Sequence, residues 1–446
     1  CQLAADWNLE YQKDRAGNVL VRVPATPGHE QAAGIILQAH LDMVCEKNSD
    51  VQHDFQRDPI RPVIDGDWVK ASGTSLGADN GIGVATCLAV MEDRSLVHGP
   101  VECLFTVDEE TGLTGAYQLK KDLLKGDILI NLDSEDEGTF TIGCAGGADS
   151  ELSLPVERKT RKARNLMQVS LKGLRGGHSG LDINSGRGNA IKLLARLLAE
   201  AGSKFKFELI SFNGGSKRNA IPREAVAVLS VGPGQEKGLS QQLKKSFAAI
   251  GFEYRVTEPE MKLEIKKTAD SGWPLAADSQ ARLLNLILVL PHGVISLHPE
   301  ISGLVETSSN LAIVETLDKK VKIVCNSRSS IGSALEAVRL VIKACAALAE
   351  ARIAQPDGYP AWTPDLNSPL LQRMIEIYRH LFGKEPEVKA VHAGLECGII
   401  GEKYPDLDMI SIGPTIRYPH SPEEKVSLSS VENFWELVVE TLKLLA

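Results

Sequence analysis

Positive charge is in short supply in this chain of 446 residues: 49 Lys and Arg face 58 Asp and Glu, a net charge of −9. No run of Lys and Arg forms a stripe, and the mixed stretches at 158–164 and 236–245 read as solvated faces. Nucleic acid is therefore not expected as a partner. Long apolar runs are missing as well. None approaches the ~18 uninterrupted residues that a membrane span requires, so no membrane association is expected. The eight cysteines, at positions 1, 45, 87, 103, 144, 325, 345 and 397, include no Cys-x-x-Cys pair. Scattered in this way, they read as buried free thiols in a reducing, cytoplasmic compartment. No secretory leader is visible, although the chain opens at Cys1 rather than Met.

Several catalytic signatures are also absent. The glycine-rich segment Gly77-Ala-Asp-Asn-Gly-Ile-Gly83 matches neither the dinucleotide fingerprint nor the P-loop. Gly177-His-Ser-Gly180 misplaces the glycines of a nucleophile elbow. His29-Glu30 does not begin a His-Glu-x-x-His motif, because position 33 is Ala, and Cys144 has no evident partner for a thiol mechanism.

What is present is a set of acids and imidazoles at the ends of short apolar runs. One run ends in His40-Leu-Asp42, a second in Asp108-Glu109-Glu110 and a third in Asp133. Short apolar runs alternating with helical segments read as buried parallel strands. In open α/β sheets the site lies beyond the carboxyl ends of such strands, so three strands deliver ligand-type side chains to one edge. Period-2 geometry puts His40 and Asp42 on one face, and a ligating imidazole wants a carboxylate on its other nitrogen. Adjacent carboxylates such as Glu109 and Glu110 repel; at ~4 Å and an effective dielectric near ~20 a pair costs about 4 kcal/mol. Such a cluster is either fully solvated or held by cations. Asp79 opens a helix read over 81–91, where an acid is also a favoured cap. His420 lies just past the strand at 407–413 and gains meaning only from the other residues. Two imidazoles with several carboxylates suit zinc, manganese or cobalt. One carboxylate bridging two ions, with two further ligands each, would make a two-metal site with ions ~3.5–4 Å apart. A glutamate left unligated would be the general base.

The length predicts two or three domains. Residues 1–147 read as βαβ material, and 362–446 return to that pattern with a helix over 368–382 and another over 432–445. Residues 148–361 change character. Alternating strands at 166–171, 205–210 and 225–231 flank helices over 189–201 and 241–250. A second set follows: 261–267, a helix over 279–290, strands at 311–316 and 321–325, and a helix over 333–354. Two β-α-β-β-α sets in series suggest a duplicated module. The expected fold class is thus α/β, a mixed and largely parallel sheet with helices on both faces, discontinuous and interrupted by an inserted α+β domain.

In order along the chain, His-x-Asp, Gly-Ala-Asp-Asn-Gly, Glu-Glu, Asp and a late His resemble the dinuclear zinc aminopeptidase, carboxypeptidase and aminoacylase clan. Further segments resemble the bacterial aminoacyl-histidine dipeptidases within it: Leu37-Gln-Ala-His-Leu-Asp-Met-Val44, Leu76-Gly-Ala-Asp-Asn-Gly-Ile-Gly83, Cys144-Ala-Gly-Gly147, Arg175-Gly-Gly-His-Ser-Gly180, Arg218-Asn-Ala-Ile-Pro222 and His392-Ala-Gly-Leu-Glu-Cys-Gly398. The resemblance covers nearly the whole chain and implies a preceding segment that carries no metal ligand.

It also implies roles. His40 and Asp133 would hold one divalent ion, Glu110 and His420 the other, and Asp79 would bridge them, with a cis peptide bond after it. The ions would be zinc, with manganese or cobalt as alternatives. Asp42 would orient the His40 ring and Glu109 would act as the base. His178 would stabilise the oxyanion, reaching a partner subunit's site in a homodimer. Asn219 and Arg328 would bind the substrate's C-terminal end, and Gly394 and Glu396 would line its pocket. The implied activity is hydrolysis of Xaa-His dipeptides, carnosine-like substrates included, with the inserted domain serving as lid and dimerisation domain. A tripeptidase or N-acyl amino acid deacylase of the same clan is the alternative, and a non-catalytic binding protein the reading from another class.

Overall fold

The computed structural model describes residues 1–160, 165–269 and 272–446; part of the basic stretch noted above, 161–164, lies outside them. The chain forms two compact units. The first comprises Cys1–Cys144, Trp362–Val391 and Leu395–Ala446, the second Ala145–Ala361 and His392–Gly394. The first boundary falls three residues before the expected one, because the strand Thr139–Cys144 ends one sheet and Gly146–Pro155 at once enters another. Residues 392–394 go with the second unit, where the Ala145 N–H donates to the Ala393 carbonyl at 3.1 Å.

The first unit is built on an eight-stranded sheet in the order Glu10–Lys13, Val19–Val23, Val101–Thr106, Ile35–His40, Ile128–Asn131, Asp408–Ser411, Thr139–Cys144, Glu387–Val391. The four strands from Val101–Thr106 to Asp408–Ser411 are mutually parallel, with antiparallel pairs on both sides of them. The sheet is mixed and largely parallel, as its composition requires: Ile35–His40 and Val101–Thr106 are buried at every position, the signature of strands covered on both faces. Alternation assigns the cover. Ile36, Leu104 and Leu129 pack with Ala116, Ile399 and Ile400, whereas Cys103, one residue out of phase with Leu104, reaches the carbonyl of Cys87 in the helix Ala78–Glu92. A small four-stranded sheet, Ile416–Arg417, Lys425–Ser427, Trp68–Ala71 and Pro62–Asp65, was not legible in the sequence.

The second unit carries a nine-stranded antiparallel sheet. Its first part is a single β-α-β-β-α-β unit, Asn165–Lys172, Ala190–Gly202, Phe207–Gly214, Ala225–Val231, Glu236–Glu253 and Lys262–Lys267. The last strand pairs with the first, Met167 opposite Lys267. That pairing corrects the duplicated-module expectation: 261–267 closes the first set rather than opening a second. The helix expected over 333–354 also stops early, at Leu348. Glu350 adopts a left-handed φ of 56°, and Arg352–Ala354 pairs with Glu151–Ser153 as an edge strand. The helix Ala190–Gly202 opens as expected at Asn189, whose side chain accepts from the N–H groups of Ile191 and Lys192.

All eight cysteines are free; five are buried, but Cys1 and Cys45 are exposed. No helix among the described residues is long and apolar enough to cross a membrane.

Candidate metal centre

In the first unit, His40, Asp79, Glu109, Glu110, Asp133 and His420 come together beyond the carboxyl ends of the parallel strands, His40 and Asp79 buried and His420 exposed. His40 closes its strand and is 1% exposed. Its Nε2 lies 3.0 Å from Asp79 Oδ1 and 3.2 Å from Asp133 Oδ1. His420 enters on a left-handed residue, φ 59°, and its Nε2 lies 3.1 Å from Asp79 Oδ2 and 3.0 Å from Glu110 Oε2. The two oxygens of Asp79 thus face two different imidazoles. Asp79 and Asn80 depart from helical dihedrals and the peptide between them is cis. The Asn80 amide donates to the Leu132 carbonyl at 2.7 Å and to Asp133 Oδ1 at 2.6 Å, which fixes the third strand's acid against the loop.

Asp42 is placed differently from expectation. The His40 Nδ1 is 2.9 Å from the main-chain carbonyl of Asp42 and 3.7 Å from its carboxylate. The ring is therefore oriented by the backbone. The strand ends at His40, so period-2 geometry no longer applies at residue 42. The Asp42 carboxylate instead accepts from the N–H groups of Glu109 and Glu110, each at 3.1 Å. It caps the short helix Glu109–Gly112 and so anchors the glutamate pair.

The surroundings favour positive charge at the imidazoles. Burial works against the His40 cation, but hydrogen bonds and charge from Asp133 and Asp79 push its pKa up to about 12. His420 is pushed up to about 10 by its bonds to Asp79 and Glu110, against burial. Burial would raise Asp79, yet both imidazoles hold its carboxyl well below the usual range. Asp133 goes the other way. Burial drives it up to about 7 despite the His40 bond. Burial also lifts Glu109 to about 8, opposed by His40 and helped by Glu396, Glu110 and Asp79.

These residues suit a pair of cations. His40, Asp79 and Asp133 form one group whose ligand atoms all lie within 4.8 Å of one another, and Asp79, Glu110 and His420 form another, with Asp79 shared. Nitrogen and carboxylate donors of this kind match zinc and its first-row neighbours. Glu110 also has an oxygen, Oε1, that is buried with no hydrogen-bond partner, an orphan that a cation would satisfy.

Glu396 does not line an open pocket as the resemblance implied. It is 1% exposed, and its Oε2 accepts from Gln38 Nε2 at 2.7 Å and Thr106 Oγ1 at 2.6 Å. Burial lifts its carboxyl to about 7. Enclosed in that way, it supports the strand ends behind the cluster and offers no surface to a substrate.

The second unit gathers a separate polar group. His178 lies on the two-residue strand Gly177–His178, paired with Ala220–Ile221, and Ser179 N–H donates to the Asn219 carbonyl at 2.8 Å. The Asn219 side chain is exposed. The His178 Nδ1 accepts from the N–H groups of Gly180 at 3.2 Å and Leu181 at 3.1 Å, which assigns its proton to Nε2. Burial, then the charge of Arg328, lower its pKa against Asp182, so the ring is neutral at pH 7. Arg328 is buried, with Nη2 at 3.5 Å from the same Nε2. Two donors facing one another across that gap suit an anionic oxygen. Arg328 Nη1 also donates to Tyr359 Oη, a residue that sequence reasoning missed. A side chain at Gly394 would strike the Tyr359 ring, 2.8 Å from a built Cβ. Gly394 therefore makes room for the residue that steadies Arg328.

The sequence profile described as Peptidase family M20/M25/M40 matches residues 36–444. The cytosol non-specific dipeptidase of Escherichia coli (strain K12) is 44% identical over 441 residues, 99% of this chain and 91% of that protein. The crystal structure of aminoacylhistidine dipeptidase from Vibrio alginolyticus matches with a TM-score of 0.93 at 42% identity, covering 99% of this chain and 91% of that one. Aminopeptidase PepT from Bacillus cereus ATCC 10987, with a TM-score of 0.55 and 15% identity over 100% of this chain and 91% of that one, shares the fold.

Proposed function

The chain belongs to peptidase family M20/M25/M40, and from that premise we propose a dipeptidase that uses two divalent ions, zinc in first place, and accepts Xaa-His among other dipeptides, carnosine-like ones included. The observation that carries this reading is the Asp79 carboxylate, with one oxygen on His40 and the other on His420. His40 and Asp133 would hold one ion, Glu110 and His420 the other, and Asp79 both. When bound, such a pair supplies Lewis acidity and lowers the pKa of water at the site. Glu109 stands outside the two groups that share Asp79, although with His40 and Glu110 it forms a third set of close ligand atoms; with the ions held by the first two groups, Glu109 is left to move a proton. Its carboxylate takes the proton from the attacking water and delivers it to the nitrogen of the leaving amine. Asp42 keeps that carboxylate in register by holding the Glu109 N–H.

In the second unit, His178 Nε2–H is assigned to the developing oxyanion, and Arg328 with Asn219 to the substrate's C-terminal carboxylate; Gly394 borders that subsite through Tyr359. Arg328→Lys is expected to lower kcat/KM for dipeptides by roughly 10- to 100-fold, in line with the ~1.5–3 kcal/mol of a charged hydrogen bond. The loss should fall mainly on KM and spare the corresponding dipeptide amides, as steady-state kinetics on matched pairs would establish. Equal losses on both would remove Arg328 from carboxylate recognition.

The second unit exposes Val289, Ile295, Leu297, Leu340 and Leu348, the last at 88%. Together with the resemblance, these exposed apolar side chains support a homodimer. If His178 serves a partner's site, mixed dimers of His178→Ala and Glu109→Gln subunits regain part of the activity that each parent lacks. Verified heterodimers without recovery would exclude sharing. The cytoplasmic placement follows the naming of the Escherichia coli relative and agrees with the free thiols.

A panel of Xaa-His, Xaa-Leu, tripeptide and N-acyl substrates, run with metal analysis, tests the whole reading. Dipeptides should be hydrolysed fastest by protein carrying two ions. Preference for tripeptides or N-acyl substrates would move the chain to the alternative activities, and no turnover with any metal would favour a binding protein.

A further inference from the structure

Glu424 follows His420 by four residues and is 2% exposed within the first unit. Its carboxylate accepts four consecutive main-chain N–H groups of the loop that presents Asp79. Oε2 accepts from Leu76 at 2.6 Å and Gly77 at 2.9 Å, Oε1 from Ala78 at 2.8 Å and Asp79 at 3.3 Å. The left-handed Gly77, φ 74°, is what turns successive N–H groups toward a common centre. A carboxylate has about four lone-pair sites, and this loop fills them. The Glu424 backbone is fixed in turn, because the adjoining strand Lys425–Ser427 pairs with Trp68–Ala71.

We propose that Glu424 is a positioning residue for the bridging carboxylate: it ties the loop of Asp79 to the loop of His420 and so sets the spacing of the group formed by Asp79, Glu110 and His420. This rests on reading that group as half of a metal site. Glutamine has nearly the same shape, but its amide nitrogen would confront main-chain N–H groups, donor against donor, and the loop would have to move. Partners of this kind, one step removed from the ion, typically contribute ~10- to 100-fold to metal affinity.

The test compares wild-type protein, E424Q and E102Q, each purified with zinc and dialysed against chelator-buffered free zinc, with bound zinc counted and melting followed. Glu102 is the control: a buried carboxylate in the same unit, on the eight-stranded sheet, that accepts the N–H groups of Lys125 and Gly126 at 2.7 and 3.0 Å and a bond from Arg22 at 3.1 Å. E424Q should bind zinc ~10- to 100-fold less tightly than wild type, whereas E102Q should lose melting temperature with an unchanged zinc isotherm. E424D keeps the charge but retracts it; should E424Q not fold, a loss of zinc affinity in E424D carries the test. Wild-type zinc affinity in E424Q, or in E424D when it alone is available, overturns the proposal. So does an equal loss in E102Q. A wild-type protein that binds no zinc overturns the metal reading itself, and the proposal with it.

Discussion

Glu109→Gln is expected to lower kcat by roughly 100- to 10,000-fold, the usual contribution of a positioned general base, while leaving metal content at the wild-type value. The separation of the two readouts comes from the geometry. Glu109 stands outside the two groups that share Asp79, and its main-chain N–H, which the Asp42 carboxylate holds, is untouched by the substitution. An amide of the same shape fills the same space but cannot accept the proton. Burial raises the Glu109 carboxyl to about 8, and two dications nearby would lower it, favouring the carboxylate that a base requires. Single-turnover kinetics with parallel metal analysis would decide the matter. Near-wild-type turnover would dismiss Glu109 as the base, and loss of metal together with activity would make it a ligand instead.

Asp79→Ala is expected to have the largest effect of any single substitution, abolishing turnover and removing both ions. Asp79 is the one side chain that the two ligand groups have in common. Loss of His40 or of His420 should by contrast weaken mainly one ion each. The effect extends to stability, because a ligand that binds only the native state stabilises it by mass action. At a free concentration 100 times its Kd, one ion contributes about 2.7 kcal/mol. Chelation should therefore lower the melting temperature of wild-type protein and leave that of Asp79→Ala where it was. A variant that retained two ions per chain would show that Asp79 does not bridge.

Much of the cluster was legible in the sequence for a simple reason. His40, Glu109, Glu110 and Asp133 each follow a run apolar enough to be a buried parallel strand, and such strands can only deliver their next residues to one edge of a sheet. Asp79 was legible through its glycine-rich setting, because a regular helix starts just past Asn80. His420 was legible only by resemblance, since a single histidine after a strand has no local signature. Asp42 shows where local reasoning stops. Its spacing from His40 suggested a carboxylate against the ring, but the strand had ended and the carboxylate turned to the Glu109 and Glu110 amides. Glu396, which the resemblance implied to line the pocket, proved to be enclosed by Gln38 and Thr106, 358 and 290 residues away in the chain.

The same division holds for the fold as a whole. Periodicity and composition alone determined the types of the longer buried strands and helices, the change of character between the outer and inserted segments, and the residue types fit to hold metal, because each of these depends on neighbours within a few positions. Only the tertiary structure decided which oxygen of Asp79 faces which imidazole, that 262–267 pairs with 165–172, and that Glu424 binds the Asp79 loop 345 residues before it. Those choices belong to hydrogen bonds between distant segments. A buried donor or acceptor must find a partner wherever packing places one, and nothing in the residue's own neighbourhood records which partner that will be.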